Sequence, residues 1–249
     1  MPFTLSAPLL AHPQALDAAL QTHGYAVLDA EQVAQRSGIA LPALLAWCPS
    51  WNDLPPDAYL RDGGRYRRRR HSCFVVRGAL VEPVPQRPHW QPVAYNALHG
   101  GLERHFQPMS ADLVTQQAWQ QLLVWLGQVC SQRKGNQPWF LEAHQFRIDT
   151  TDGIGRPTPE GAHRDGVDLV AVFLVARHGI KGGETRVFEA DGPNGQRFTL
   201  CQPWSVLLLD DARVIHESTP IQPLEPLGPP GYRDTLVITL RAGGFQAEA

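Results

Sequence analysis

The chain has 249 residues, 43% hydrophobic and 18% charged, a globular composition long enough to bury a sizeable core, which excludes disordered and collagen-like classes. Lys+Arg 22 against Asp+Glu 24 leave a net charge of −2, so no global basic field exists to hold a phosphate backbone or an anionic membrane. Cys48, Cys73, Cys130 and Cys201 are scattered without a C-x-x-C pair, which argues against a zinc finger or a dithiol redox motif.

The start, MPFTLSAPLLAHPQ, lacks the basic and apolar regions of a secretory leader. The longest apolar run, Leu169 to Ala176, is far short of the roughly 18 residues of a bilayer span, so a cytoplasmic protein is expected. ALDAALQTH predicts a helix closed by Gly24, and YAVLDA a short strand after it. Short helices fit Asp29 to Arg36 and Leu41 to Trp47. A long helix is expected from Ser110 as N-cap to about Gly135, with Leu113, Val114, Trp119, Leu122, Leu123, Leu126 and Val129 forming one broad stripe suited to packing on a sheet.

From Pro138 the pattern changes to short β-type runs punctuated by Gly and Pro: WFLEAHQFRI, DLVAVFLVA, ETRVFEA, QRFTLC, SVLLLD, RVIH and DTLVITLR. Such spacing predicts an antiparallel sandwich or barrel, of which the jelly roll is one member. The expected organisation is mainly β with helices (α+β): one domain over residues 1–249, with a helix-rich part at 1–135 and a β core at 138–241. The N-terminal helical elements would pack on the outside.

Chemistry concentrates in that β core. In an extended segment His163 and Asp165 point to one face and Arg164 to the other. From 10 His and 24 Asp+Glu about one H-x-[DE] is expected by chance, so the pair needs a partner. His216, at the end of SVLLLDDARVIH, supplies it. Two imidazoles and one carboxylate make the facial set that holds non-haem Fe(II) and leaves positions open, although the set fits other metals too. Asp210 and Asp211 are competing ligands or a cap for the turn before His216. Further on, Arg233 and Thr235 share a face of the last strand, and a guanidinium fork beside a hydroxyl suits a carboxylate. Arg241 is the alternative clamp, and a strand-edge pairing of Arg233 with Asp234 the bland reading.

These residues resemble the Fe(II)/2-oxoglutarate-dependent dioxygenases that hydroxylate free aliphatic amino acids such as isoleucine, a group including bacterial proteins linked to biofilm, stress and motility phenotypes. The resemblance rests on Pro159-Glu160-Gly161-Ala162-His163-Arg164-Asp165-Gly166, Gly182-Gly183-Glu184, Leu209 to His216, and Gly231-Tyr232-Arg233-Asp234. Gln145-Phe146-Arg147, Tyr95-Asn96, Gly100-Gly101 and Arg104 are similar as well, so the likeness covers about residues 90–241. It implies a double-stranded β-helix, a cupin-like jelly roll, with His163, Asp165 and His216 on iron and as the catalytic centre, and Arg233 on the distal carboxylate of 2-oxoglutarate. The implied reaction hydroxylates a small substrate with O2 and releases succinate and CO2. Asp165 argues against a halogenase, in which that carboxylate is absent. For an amino-acid substrate, Arg147, Gln145, Arg104 and Arg186 are candidate contacts, with Glu142 for the ammonium.

A rival reading is a metal-holding jelly roll that binds a small molecule without turnover, in a stress or biofilm role. A third, an oxygenase on nucleic acid, would use the basic run Arg65-Tyr66-Arg67-Arg68-Arg69-Arg70-His71; its bland alternative is a solvated or acid-paired face, since alternate Arg of a strand point opposite ways.

Overall fold

A computed structural model describes residues 16–96 and 98–246. The reading of the first 14 residues as leaderless, and Ala15 of the first expected helix, lie outside them. In chain order the elements are α1 (Leu16–His23), β1 (Tyr25–Leu28), α2 (Ala30–Ser37), α3 (Leu41–Leu45), a 3-10 turn (Cys48–Trp51), β2 (Arg67–Arg77), β3 (Leu80–Pro83), α4 (Ala111–Val114) and α5 (Gln117–Lys134). Then come β4 (Trp139–Asp149), β5 (Leu169–His178), β6 (Ile180–Gly182), β7 (Thr185–Glu189), β8 (Gly195–Phe198), β9 (Val206–Asp210), β10 (Val214–Ser218), β11 (Ile221–Pro223) and β12 (Tyr232–Ala242).

A seven-stranded sheet in the order β1-β9-β5-β12-β4-β2-β3 faces a three-stranded sheet β10-β7-β8 and a two-stranded sheet β11-β6. Every strand pair is antiparallel. This is a jelly roll with helices on its outer face, the fold class expected from the strand runs.

The period of two along each strand explains the layering. In β5, Leu169, Ala171, Phe173 and Val175 join the outer core with α1, α2 and α5, while Val170 and Leu174 face the sandwich interior with Val187, Phe198, Leu207 and Val214. In β12, Leu236, Ile238 and Leu240 go outward, whereas Arg233, Thr235, Val237 and Thr239 line an internal cavity. Both faces of this sheet are therefore covered, which is why β5 reads as a continuous apolar run rather than an alternating one. Burying each large aliphatic side chain contributes about 1.5–3 kcal/mol before entropy is counted. Gly127 allows α5 to approach β2, because a Cβ there would sit 2.9 Å from Val76 Cγ1.

Two expectations are corrected. The helix from Ser110 to Gly135 is broken: Gln116 is extended (φ −67°, ψ 142°), α4 ends at Val114 and α5 begins at Gln117. The cause is tertiary, since Gln116 Oε1 accepts from Trp47 Nε1 at 2.8 Å while its Nε2 donates to the Asp112 carbonyl. The basic run is largely strand, the N-terminal end of β2, paired with β4 from Arg67↔Ile148 to Val76↔Trp139. Arg67 and Arg69 point inward and are buried, so the run is not a continuous basic surface. It is acid-paired in part, Arg65 to Asp152 and Arg67 to Asp57. Among the described residues no helix is long and apolar enough to cross a membrane.

Candidate functional site

His163 and His216 are brought side by side by their own backbones. His163 N donates to the His216 carbonyl and His216 N to the His163 carbonyl, both at 3.0 Å, a hydrogen-bonded antiparallel pair whose side chains share a face. Asp165, two residues on, returns to that face. Its Oδ1 lies 3.9 Å from His163 Nε2 and its Oδ2 3.8 Å from His216 Nε2, too far for hydrogen bonds, and the three ligand atoms lie within 4.8 Å of one another. The tautomer of His163 is fixed by its ring Nδ1, 2.9 Å from the Gly161 carbonyl. Nδ1 must then carry the proton, which leaves the Nε2 lone pair facing Asp165 and His216. The donor set and this tautomer fit a divalent cation.

Burial acts on each group. It raises Asp165 above the usual carboxylate range, with His163 opposing it only in part. Burial alone would lower His163, but the Asp165 and Glu160 carboxylates more than offset it and its pKa is raised. Burial, with His163 beside it, holds His216 well below the ordinary imidazole value.

Two residues that the sequence does not mark as supports hold Asp165 in place. Asp211 accepts from the backbone N–H groups of Asp165, Gly166 and Val167 at 2.9, 2.7 and 3.1 Å, so it caps the ligand loop and is not itself a ligand in the cluster. Asp210 pairs with Arg133. Gln91 Nε2 donates to Asp165 Oδ1 at 3.0 Å, and its own Oε1 accepts from Asn96 and Arg104, which fixes the amide orientation. No spacing rule joins Gln91 to Asp165 across 74 residues. Gly166 has φ +77°, and a Cβ there would meet the Tyr95 ring at 2.5 Å, so the loop after Asp165 requires glycine.

The cluster opens on a cavity of about 120 Å³ between the sheets, lined among others by Arg67, Arg69, Arg104, Glu160, Arg233 and Thr235. Arg233 is buried, and among the described residues no carboxylate pairs with it. The strand-edge pairing with Asp234 does not form, because Asp234 takes Arg147 instead, at 2.7 Å. Burial, with Arg177 nearby, pulls the Arg233 pKa down to about 10, so it stays charged at neutral pH. A buried cation without a partner is costly unless an anion joins it, and Arg233 shares its cavity with the three convergent ligands.

Other candidates lie elsewhere. Arg104 lines the cavity, but Arg147 and Gln145 do not: His144, Phe146 and Ile148 of β4 face it, so by the period of two their neighbours face the opposite side. There Arg147 pairs with Asp234 and Gln145 donates to Ser50 Oγ. Gln145 and Arg147 thus sit on the right strand and on the wrong face. Arg241 donates to the carbonyls of Gly244 and Phe245, and Arg186 is half-exposed between Glu184 and Glu217. Glu142 belongs to a separate buried group with His71, His89 and His144.

An antiparallel jelly roll whose interior brings two imidazoles and a carboxylate together beside an uncompensated arginine defines the class of cupin-like non-haem metal oxygenases. The 2OG-Fe dioxygenase profile matches residues 48–239, and the chain belongs to that family. The protein is thus a 2-oxoglutarate-dependent dioxygenase of a family that uses Fe(II) and 2-oxoglutarate, which decides against the reading without turnover. A bsmA homolog from Methylobium petroleophilum PM1 is 51% identical over 99% of both chains, with a TM-score of 0.92. IDO from Bacillus thuringiensis shares the fold at 16% identity, over 95% of this chain and 100% of that one (TM-score 0.75). The Fe(II)/α-ketoglutarate-dependent dioxygenase TqaL does so at 21%, over 94% and 90% (TM-score 0.70). No curated protein sequence matches the chain.

Proposed function

We propose that His163, Asp165 and His216 hold the Fe(II), that Arg233 with Thr235 binds the distal carboxylate of 2-oxoglutarate, and that the substrate is a small molecule, a free L-amino acid. When bound, iron and 2-oxoglutarate supply the oxidation: O2 and the keto acid are consumed, the substrate gains a hydroxyl group, and succinate and CO2 leave. The chain's own residues supply position. Gly161 fixes the His163 tautomer, Asp211 and Gln91 hold Asp165, and Arg233 offers a two-pronged cation that needs an anion. The observation that carries this reading is Arg233, buried and without a counter-ion in the cavity that holds the triad. A bacterial stress or biofilm role, as the resemblance implies, would be exerted through this turnover in the cytoplasm.

Two measurements test it. Titrating anaerobic Fe(II) protein with 2-oxoglutarate and following the metal-to-ligand charge-transfer band should show affinity falling by about 100-fold in Arg233→Ala, with partial recovery in Arg233→Lys. Unchanged affinity there, with loss in Arg241→Ala, would move the clamp. Succinate release should rise above the uncoupled background with at least one free L-amino acid; no rise across all of them would refute the substrate class.

A further inference from the structure

The cavity has a second charged wall besides Arg233. Arg67 and Arg69 of β2, with Arg104, are buried there. Asp57 pairs with both inward arginines of β2, 2.7 Å from Arg67 Nε and 3.7 Å from Arg69 Nη1. Arg69 is gripped further: its guanidinium lies 3.8 Å from the Phe106 ring centre and 4.4 Å from that of Phe146, and Nη2 donates to His144 Nδ1 at 2.7 Å. Arg104 Nη2 is spent on Gln91 Oε1. What remains is a set of buried polar nitrogens without partners: the donors Arg67 Nη2, Arg69 Nε and Arg104 Nε, and His99 Nε2, a donor in one of its tautomers. Each unmet buried donor costs about 1–3 kcal/mol, so their concentration in the residues lining one cavity marks a place where a ligand supplies the acceptors.

One acceptor of the opposite character lines the same cavity. Glu160 Oε2 is buried and unpartnered, while Oε1 lies 3.6 Å from His163 Nε2. Glu160 is near enough to Arg104 and His99 for its charge to act on both. A phosphate dianion would meet the guanidinium groups but be repelled by this carboxylate. A head group carrying one carboxylate and one ammonium satisfies both.

We propose that Arg67 and Arg104, with Arg69 and His99, bind the carboxylate of the substrate and that Glu160 takes its ammonium group, so that the substrate is an amino acid with both groups free rather than a residue within a peptide. This rests on the amino-acid reading above and adds the residues that enforce it. It also explains the inward half of the basic run, because Arg67 and Arg69 belong to the substrate site while Arg68 and Arg70 face away from it.

The test uses full-length protein loaded anaerobically with Fe(II) and 2-oxoglutarate. Calorimetric titration with the free L-amino acids, followed by simple carboxylic acids, identifies the tightest ligand, which is then compared with its primary amide and its des-amino analogue. In the wild type the amide should bind at least about 30-fold more weakly, the low end of the cost of removing one partner from a buried charge pair. Arg67→Gln and Arg104→Gln should each erase most of the difference between acid and amide, and Arg104→Lys should restore part of it. Affinity for 2-oxoglutarate, read from the charge-transfer band, should stay within about threefold in Arg67→Gln. Equal binding of acid and amide by the wild type overturns the carboxylate site without any variant, as does the absence of binding by every carboxylate tried. Loss of 2-oxoglutarate rather than substrate in Arg67→Gln overturns it too and gives this wall to the cosubstrate. If the des-amino acid binds as tightly as the amino acid while the amide fails, the carboxylate site stands, and the role of Glu160 and the amino-acid reading fall.

Discussion

The triad His163, Asp165 and His216 and the cluster His71, His89, Glu142 and His144 are built from the same residue types, and each brings its candidate ligand atoms within 4.8 Å of one another. They differ in where the protons are. In the triad no hydrogen bond joins the ligand atoms, and the His163 proton is drawn to the Gly161 carbonyl on the far side of the ring. In the second cluster the imidazole nitrogens turn onto Glu142 Oε2 itself, His89 Nδ1 at 2.5 Å, His71 Nε2 at 3.1 Å and His144 Nε2 at 3.9 Å. Arg69 donates to His144 Nδ1, so that nitrogen is bare and the proton sits on Nε2, where a metal would have needed a lone pair. One group has lone pairs facing a shared point, whereas in the other the His71 and His89 N–H groups are already bonded to Glu142 and the His144 Nε2 proton faces the same carboxylate from 3.9 Å, beyond hydrogen-bond reach. Proximity of histidines and a carboxylate is therefore not enough for a metal centre; the partner on the other ring nitrogen decides.

Removing one member of each cluster should have opposite consequences. His216→Ala should lower Fe(II) affinity and succinate formation by more than about 100-fold, beyond the range typical of residues that only support a ligand, while metal-free stability changes by less than about 1 kcal/mol. Glu142→Ala should do the reverse. Removing a buried carboxylate that compensates Arg69 and receives imidazole donors should cost about 3–5 kcal/mol in chemical denaturation. Iron bound per chain, measured on the folded fraction, should remain one. A second equivalent bound by the wild type and lost in His71→Gln would show that the buried cluster is a metal site after all.

Between these extremes lies Gln91, which touches Asp165 without joining the triad. Gln91→Ala should weaken Fe(II) binding by roughly 10–100-fold and leave the thermal transition of the metal-free protein little changed. An effect below about threefold would mean that Asp211 alone positions the carboxylate.

The smallest effect is expected in the pH dependence of stability. Burial lowers the pKa of His71, of His89 to about 3, and of His144 well below 6.5, the ordinary imidazole value, while the imidazoles around Glu142 hold it far below the usual carboxylate range. All four folded pKa values lie below their unfolded ones. Their stabilisation is therefore complete above about pH 6.5, where the unfolded imidazoles are neutral, and is lost progressively as acid protonates the unfolded chain first. Asp165 and His163, whose pKa values are raised, push the other way, so the cluster is read as the stability difference between wild type and His89→Gln, which should shrink in chemical denaturation as the pH falls from 7 to about 4. A difference that widens with acid would contradict the neutral-imidazole assignment.

Much of this protein is legible in its sequence because the signals are local. The strand runs after Pro138, the H-x-D spacing and the Arg233/Thr235 pair each depend on the period of two along a strand, which a few consecutive residues define. What stays hidden depends on contacts between distant segments. The run Arg65–Arg70 reads as surface because adjacent guanidinium groups are rarely buried; that Arg67 and Arg69 can be follows from Asp57, Phe106, Phe146 and His144, brought from three other places in the chain. Gln145 and Arg147 lie on a strand of the cavity, but nothing in the sequence says which face of β4 meets it until β12 and β2 pair on either side. The break at Gln116 needs Trp47, and the support of Asp165 needs Gln91 and Asp211. Local sequence sets the strands and the residue types that can bind a metal. Tertiary contacts settle which nitrogens carry protons, which arginines lack a counter-ion and which faces turn inward, because each of these depends on partners that only folding brings within hydrogen-bond reach.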